Sequence, residues 1–189
     1  MAESGATPGG VAGRGTLDDF VKAVAENPDV DWKKYLFWAL GNSDLVSRLE
    51  IANWMLDHGA DPAQIDPRGK INALHVLLTQ REHDYLGEGK LLQRLLDGGA
   101  DINLKASKWN VPIQAMLDNR NLSDDLCAPL YDVIFSHPGI DWDVIVRQAF
   151  GEPASLKKSV ELAAKRRPEL HRRMCEYLEK GPSPRPVFD

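Results

Sequence analysis

An all-α solenoid of about four to five stacked helix-turn-helix units is the fold this sequence predicts, and three observations predict it. Residues 55–62 (MLDHGADP) and 95–102 (LLDGGADI) match at a spacing of 40. Asp31–Gly41 (DWKKYLFWALG) answers Asp141–Gly151 (DWDVIVRQAFG), each behind a Pro-x-(Val/Ile) lead-in at Pro28–Val30 and Pro138–Ile140. Aligning the four segments puts Asp31, Asp61, Asp101 and Asp141 in one column, 30, 40 and 40 residues apart. Such self-similarity marks units that bury their apolar faces only by packing against their neighbours.

The elements follow in order from hydrophobic period and stop signals. Leu17, Phe20, Val21 and Val24 behind Thr16 predict a helix over 16–26, the second helix of a partial leading unit. A shorter helix over 32–40 precedes the strongest one, 43–58, where Leu45, Leu49, Ala52 and Leu56 recur at steps of three and four between a Ser43 cap and a Gly59 stop. The pattern repeats as 72–81 then 89–97, and as 112–119 then 123–137. Two last helices are predicted over 153–166 and 168–180, with Pro168 in the first turn of the final one. Each unit thus reads short helix, turn, longer helix, loop. Residues 1–15 and 181–189, rich in Gly, Pro and small side chains, read as flexible tails.

Two segments, HGADPAQIDPRGKINALH (58–75) and GGADINLKASKWNVPIQAM (98–116), resemble ankyrin repeats. The family pattern places Gly-Ala-Asp after the second helix, a finger with a central glycine, and Thr-Pro-Leu-His opening the next first helix. Gly69 stands at the finger glycine, and Asn72, Ala73, Leu74 and His75 stand at the tetrapeptide. Val111, Pro112, Ile113 and Gln114 stand there one unit later. The departures are one extra residue between Gly69 and His75, Trp109 in place of the finger glycine, and Gln114 in place of the histidine. The resemblance covers residues 16–166, most strongly 43–137, with units starting near 16, 29, 59, 99 and 139 and a capping helix over 167–180. It implies short β-hairpin-like fingers, with truncated end units at Asp31 and Asp141 that pass almost directly into a helix.

The composition agrees with a soluble domain. The 189 residues are 43% hydrophobic, 27% charged and 7% aromatic, with a net charge of −5. No run approaches the roughly 20 apolar residues of a membrane span, and residues 1–15 lack the apolar centre of a secretory signal. Cys127 and Cys175, 48 apart, form no CxxC pair and read as reduced thiols of a cytoplasmic protein. The charge is uneven: eight basic against four acidic residues make 155–180 +4, while the first 154 carry −9.

No catalytic constellation is recognisable. Gly41-Asn42-Ser43 lacks the second glycine of a nucleophile elbow, and Gly87-Glu88-Gly89-Lys90 lacks the spacing and hydroxyl of a phosphate loop. His58 and His137 stand at helix ends, where an imidazole can meet orphan carbonyls. Glu82, His83 and Asp84 would point about 100° apart on a helix and cannot converge on one ion. The expectation is therefore a non-enzyme with no metal and no cofactor. Of the five tryptophans, Trp32 and Trp142 share a repeat position suited to wedging truncated fingers, and Trp54 lies beside an apolar stripe. Trp109 sits at a finger tip, where it is either an interaction anchor or folded back on the neighbouring finger.

By resemblance, His75 bridges finger and helix backbone, and function falls to the concave surface of finger tips and first helices. The partner-facing positions are Pro67, Arg68, Lys70, Thr79 and Gln80, then Ser107, Lys108, Trp109, Asn110, Asp118 and Asn119. The cationic finger row of Arg68, Lys70 and Lys108 predicts a protein partner with an acidic or mixed patch, and an inhibitor or immunity protein is one form this would take. The alternative is nucleic-acid or anionic-surface binding through Lys165, Arg166, Arg167, Arg172 and Arg173, in which Glu169 and Glu176 interrupt the cluster. A monomer is expected.

Overall fold

The structure, a computed structural model, describes residues 6–148 and 151–188. It is mainly helical. The long helices are α2 (Leu17–Glu26), α4 (Leu45–Asp57), α6 (Tyr85–Asp97), α8 (Ala128–Ser136) and α10 (Pro168–Lys180). Shorter ones precede each: α1 (Pro8–Ala12), α3 (Leu36–Leu40), α5 (Ala73–Leu78), α7 (Pro112–Asp118) and α9 (Leu156–Leu162). Short 3-10 turns over Trp32–Tyr35 and Asp124–Leu126 lead into α3 and α8. One antiparallel ribbon joins β1 (Ile145–Val146) to β2 (Ala154–Ser155).

Packing sorts the helices into two rows. The short helices touch in the order α1, α3, α5, α7, α9, and the long ones in the order α2, α4, α6, α8, α10. The core lies between the rows. Ile51, Leu91 and Tyr131 repeat at a 40-residue interval and are fully buried, as are Met55 and Leu95 with Phe135 beside them at 2% exposure. Burial of each such side chain stabilises the fold by about 1.5–3 kcal/mol.

Local chemistry sets the helix ends. Thr16 and Asp19 form a reciprocal capping box on α2, while Asp44 and Asp84 accept from the N–H groups of Ser47 and Gly87 at the starts of α4 and α6. Gly59, Gly99 and Gly139 follow α4, α6 and α8 with φ of 86°, 97° and 79°, a left-handed turn that a side chain would strain.

Several expectations are corrected. Residues 8–12 are not tail: α1 buries Val11 and Ala12 and packs on both α2 and α3. Residues 181–188 lack helix and strand, yet Ser183 N–H donates to the Phe135 carbonyl, Arg185 pairs with Asp97, and Phe188 packs against the core. The unit at Asp141 does not run into a helix; it makes the β1–β2 ribbon, because Ile145 and Val146 favour a strand and Ser155 caps α9 only afterwards. Helix α6 starts at Tyr85 behind the Asp84 cap and so takes in Gly89, where a Cβ would stand 3.1 Å from Pro129 Cβ on α8. The expected tail residues 1–5 and 189, and positions 149–150 of the expected fourth-unit helix, lie outside the described residues.

Candidate protein-binding surface

Three loops beside the short helices form a row of hairpins. In the first, Asp66 bridges Ile71, its carboxylate accepts from Gly69 N–H at 2.9 Å, and Lys70 takes a left-handed φ of 51°. In the second, Ala106 bridges Asn110, whose φ is 58°. The third is the β1–β2 ribbon. Ser107 N–H donates to the Gly69 carbonyl at 2.9 Å, which links the first tip to the second.

The row is anchored from behind by buried polar groups. His75 lies fully buried on α5, with Nε2 3.0 Å from the Asn110 carbonyl and Nδ1 3.3 Å from the Asn72 N–H. Nδ1 also lies 2.8 Å from Asn72 Oδ1, and burial holds the ring's pKa below the usual imidazole value against the opposing hydrogen bond to Asn110 and charge of Asp101. Asn72 extends the link by donating to the Asp101 carbonyl at 2.7 Å. Gln114, one unit on, does not repeat the bridge: its amide N–H reaches Asp118 at 3.0 Å, and its buried Oε1 has no partner among the described residues.

The predicted binding residues separate into two groups. Lys108 and Trp109 from the second finger, with Thr79, Asp118 and Asn119 from the ends of α5 and α7, line one hollow of about 220 Å³ floored by Ala115. Trp109 is 41% exposed, so its ring forms a wall of the hollow and is neither buried against the adjacent finger nor free. A second hollow of about 290 Å³, lined by Gln114, Asp118, Lys165 and Arg166 among others, begins at Asp118. Pro67, Arg68, Lys70 and Ser107 are exposed on the finger tips outside both hollows, while Gln80 is half-buried with its amide on the Val76 carbonyl.

Two expected contact residues are structural instead. Asn110 is 5% exposed, and its side chain exchanges two hydrogen bonds with the backbone of Arg147, 3.1 and 2.9 Å, locking the second finger to the third. The Asn119 amide is spent on the carbonyls of Leu78 and Gln80 at 3.0 and 2.8 Å, so only its outer edge faces the hollow. Sequence reasoning missed Arg147, exposed on the third finger and donating to the Ser107 carbonyl, because 141–151 reads as a helix. It also passed over Trp38, 55% exposed on α3, since five residues carry too little periodicity to show a face.

The basic carboxyl-terminal cluster is dispersed. Arg167 is 2% exposed and donates to the carbonyls of Leu122 and Asn119, which removes it from any surface. Arg172 pairs with Glu169 and Glu176, and Arg173 with Asp132 and Glu169. Hydrogen bonds from Arg172, then Arg173, hold the Glu169 carboxyl down at about 2 against its partial burial. Lys165 and Arg166 remain exposed.

The titratable groups inside the fold are committed to structure. Glu88 and Arg48, both about 1% exposed, pair at 2.5 Å between α6 and α4, and His83 reaches the second carboxylate oxygen at 2.5 Å. Burial pushes the Cys127 thiol up to about 11, which makes it a poor nucleophile. Among the described residues no group of three His, Cys, Asp or Glu side chains is placed to hold a metal ion, and no helix is long and apolar enough to cross a membrane.

A mainly helical protein of two packed rows is the class these features define. A crystal structure of a functionally unknown protein from Leptotrichia buccalis C-1013-b shares it: the two superpose with a TM-score of 0.73 at 22% identity, over 92% of this chain and 93% of that one. At that identity the likeness is one of fold. No family model and no curated protein matches the sequence.

Proposed function

We propose that the chain is an ankyrin-like solenoid and a non-enzymatic protein-binding module, gripping a partner between its finger tips and the ends of its short helices. The observation that carries this is the hollow shared by Lys108 and Trp109 of one finger with Thr79 and Asp118 of two helices. An exposed aromatic wall beside a polar rim suits an anchoring side chain of a partner, since such rings concentrate binding energy in a few positions. Arg68, Lys70, Lys108 and Arg147 give the tips a positive edge on a chain of net charge −5. That edge fits an acidic or mixed patch, steers encounter and weakens with salt. An immunity-type inhibitor, which acts by covering a partner's surface, is the specific form this takes.

Affinity capture from native lysate tests it, with wild type beside an Arg68→Ala/Lys108→Ala/Trp109→Ala variant and an outer-face Gln93→Ala control. A protein retained by wild type and control and lost by the triple variant is expected. Equal retention by all three would move the surface elsewhere. The nucleic-acid alternative gains no observation, because three of its five cations are buried or paired.

A further inference from the structure

On the long-helix wall the strap of residues 181–188 lies in a groove between the last turns of α6 and α8 and the second half of α10, and none of its lining residues belongs to a finger. Behind it three rings pack together: Phe135, Trp142 and Tyr177, with centroids 5.9–6.1 Å apart. The Tyr177 hydroxyl is fixed by donating to the His137 carbonyl at 3.1 Å. Phe135, Tyr177 and Arg173 face Pro182 and Pro184 of the strap across a hollow of about 250 Å³. Asp97, at the end of α6, pairs with Arg185. Aromatic walls that admit proline rings, with a charge to fix the direction of the chain, are the means by which proline-rich segments are recognised.

The strap occupies this groove as a loosely held ligand would. Pro182, Pro184 and Pro186 have no N–H to give, and among the described residues one main-chain hydrogen bond ties strap to wall, from Ser183 N–H to the Phe135 carbonyl at 2.9 Å. The Arg185–Asp97 pair is exposed on both sides, and such pairs hold weakly and yield to salt. Contact is incomplete. A second hollow, of about 110 Å³, separates Arg185 from Leu96, Val133 and His137, and the buried Nδ1 of His137 has no partner among the described residues. Val187 stands out at 89% exposure before Phe188 returns to the core. Gly181, with a φ of 80° and open space where a Cβ would stand, is the joint on which the strap leaves α10. What keeps the strap seated is its tether, which gives it a high effective concentration over its own groove. Alternating prolines hold it extended in advance, so little conformational entropy is lost when such a segment docks.

We propose that this groove is a binding site for an extended, proline-rich segment of another protein that carries an arginine in the Pro-x-Pro-Arg order of residues 182–185, and that the strap covers the site until such a segment displaces it. The incoming arginine takes Asp97 and the two prolines take the Phe135/Tyr177 hollow, the contacts the strap now makes.

The probe is a fluorescently labelled peptide of residues 181–188 (GPSPRPVF), followed by anisotropy against the full chain. Wild type binds it weakly, because the strap competes. Arg185→Ser loosens the strap and tightens peptide binding several-fold, and Pro182→Gly/Pro184→Gly/Arg185→Ser tightens it about tenfold. Adding Asp97→Lys to Arg185→Ser reverses the preference, so that a peptide with glutamate in place of its arginine binds better than the original. A peptide with alanine in place of all three prolines loses about tenfold in affinity. Arg185→Ser, which removes only an exposed side chain, decides the matter where the triple variant does not fold by circular dichroism. No gain in Arg185→Ser over wild type, no reversal with Asp97→Lys, or equal binding of the alanine peptide overturns the proposal. So does a wild type that sediments at twice the 21.0 kDa of one chain and falls to one chain in Arg185→Ser, which assigns the groove to the strap of a second copy.

Discussion

At the scale of single residues, buried polar groups do more to define this molecule than its surface charges. His75 satisfies a carbonyl of the next unit from a fully buried position, so His75→Ala leaves that carbonyl unpaired and costs about 1–3 kcal/mol by urea denaturation. Its titration has a definite sign. The folded pKa lies below the unfolded value near 6.5, so the unfolded chain binds the extra proton first and the neutral ring's contribution to stability fades as pH falls below about 6.5. The urea midpoint of wild type therefore drops between pH 7 and pH 5 more than that of His75→Gln, and equal slopes would refute the assignment. Glu88 makes the stronger case. Glu88→Leu leaves the buried Arg48 and His83 without their carboxylate partner and is expected to cost about 3–5 kcal/mol, whereas exposed pairs such as Lys22–Glu26 contribute about 0–1 kcal/mol. His75 was legible in the sequence through the likeness of Asn72-Ala73-Leu74-His75 to the tetrapeptide of ankyrin repeats. The Arg48–Glu88 pair was not, since its members lie 40 apart and only packing shows that they face each other.

Among the elements, legibility followed length and repetition. Helices α4 and α8 declared themselves by their apolar spacing, and Gly59 marked a true stop. Gly139 is the informative counterpart. A Cβ there would meet no atom within 4 Å, so Gly139→Ala measures the left-handed backbone alone and should cost about 1–2 kcal/mol in thermal or urea unfolding. A smaller effect would mean that the turn relaxes. The third finger was misread because DWDVIVRQAFG echoes DWKKYLFWALG in sequence while its β-branched residues choose a ribbon, as tertiary pairing with Asn110 allows. Helix α1 was misread for another reason. Five residues rich in glycine carry no readable period, and the Thr7 cap on Gly10 N–H, Pro8 in the first turn and burial against α2 and α3 together make them helical.

For the whole molecule, a mainly helical chain was legible in the recurring apolar spacing and the glycine stops, but which surfaces stay exposed was not. Side-chain exposure depends on neighbours 40 residues away, and one-dimensional patterning cannot distinguish Val46 from Leu45 on a packed helix. The same dependence places Trp109 half in and half out of a hollow, where Trp109→Ala should leave stability within about 1 kcal/mol while abolishing partner capture. A loss of stability as large as that of a core aromatic would assign the ring to packing. Finally, the strap after α10 turns back across α8 and α6, held by Ser183 on Phe135 and Arg185 on Asp97. A protease cleaving between Ser183 and Arg185 therefore needs the strap to peel off the long-helix wall before it can reach the peptide bond.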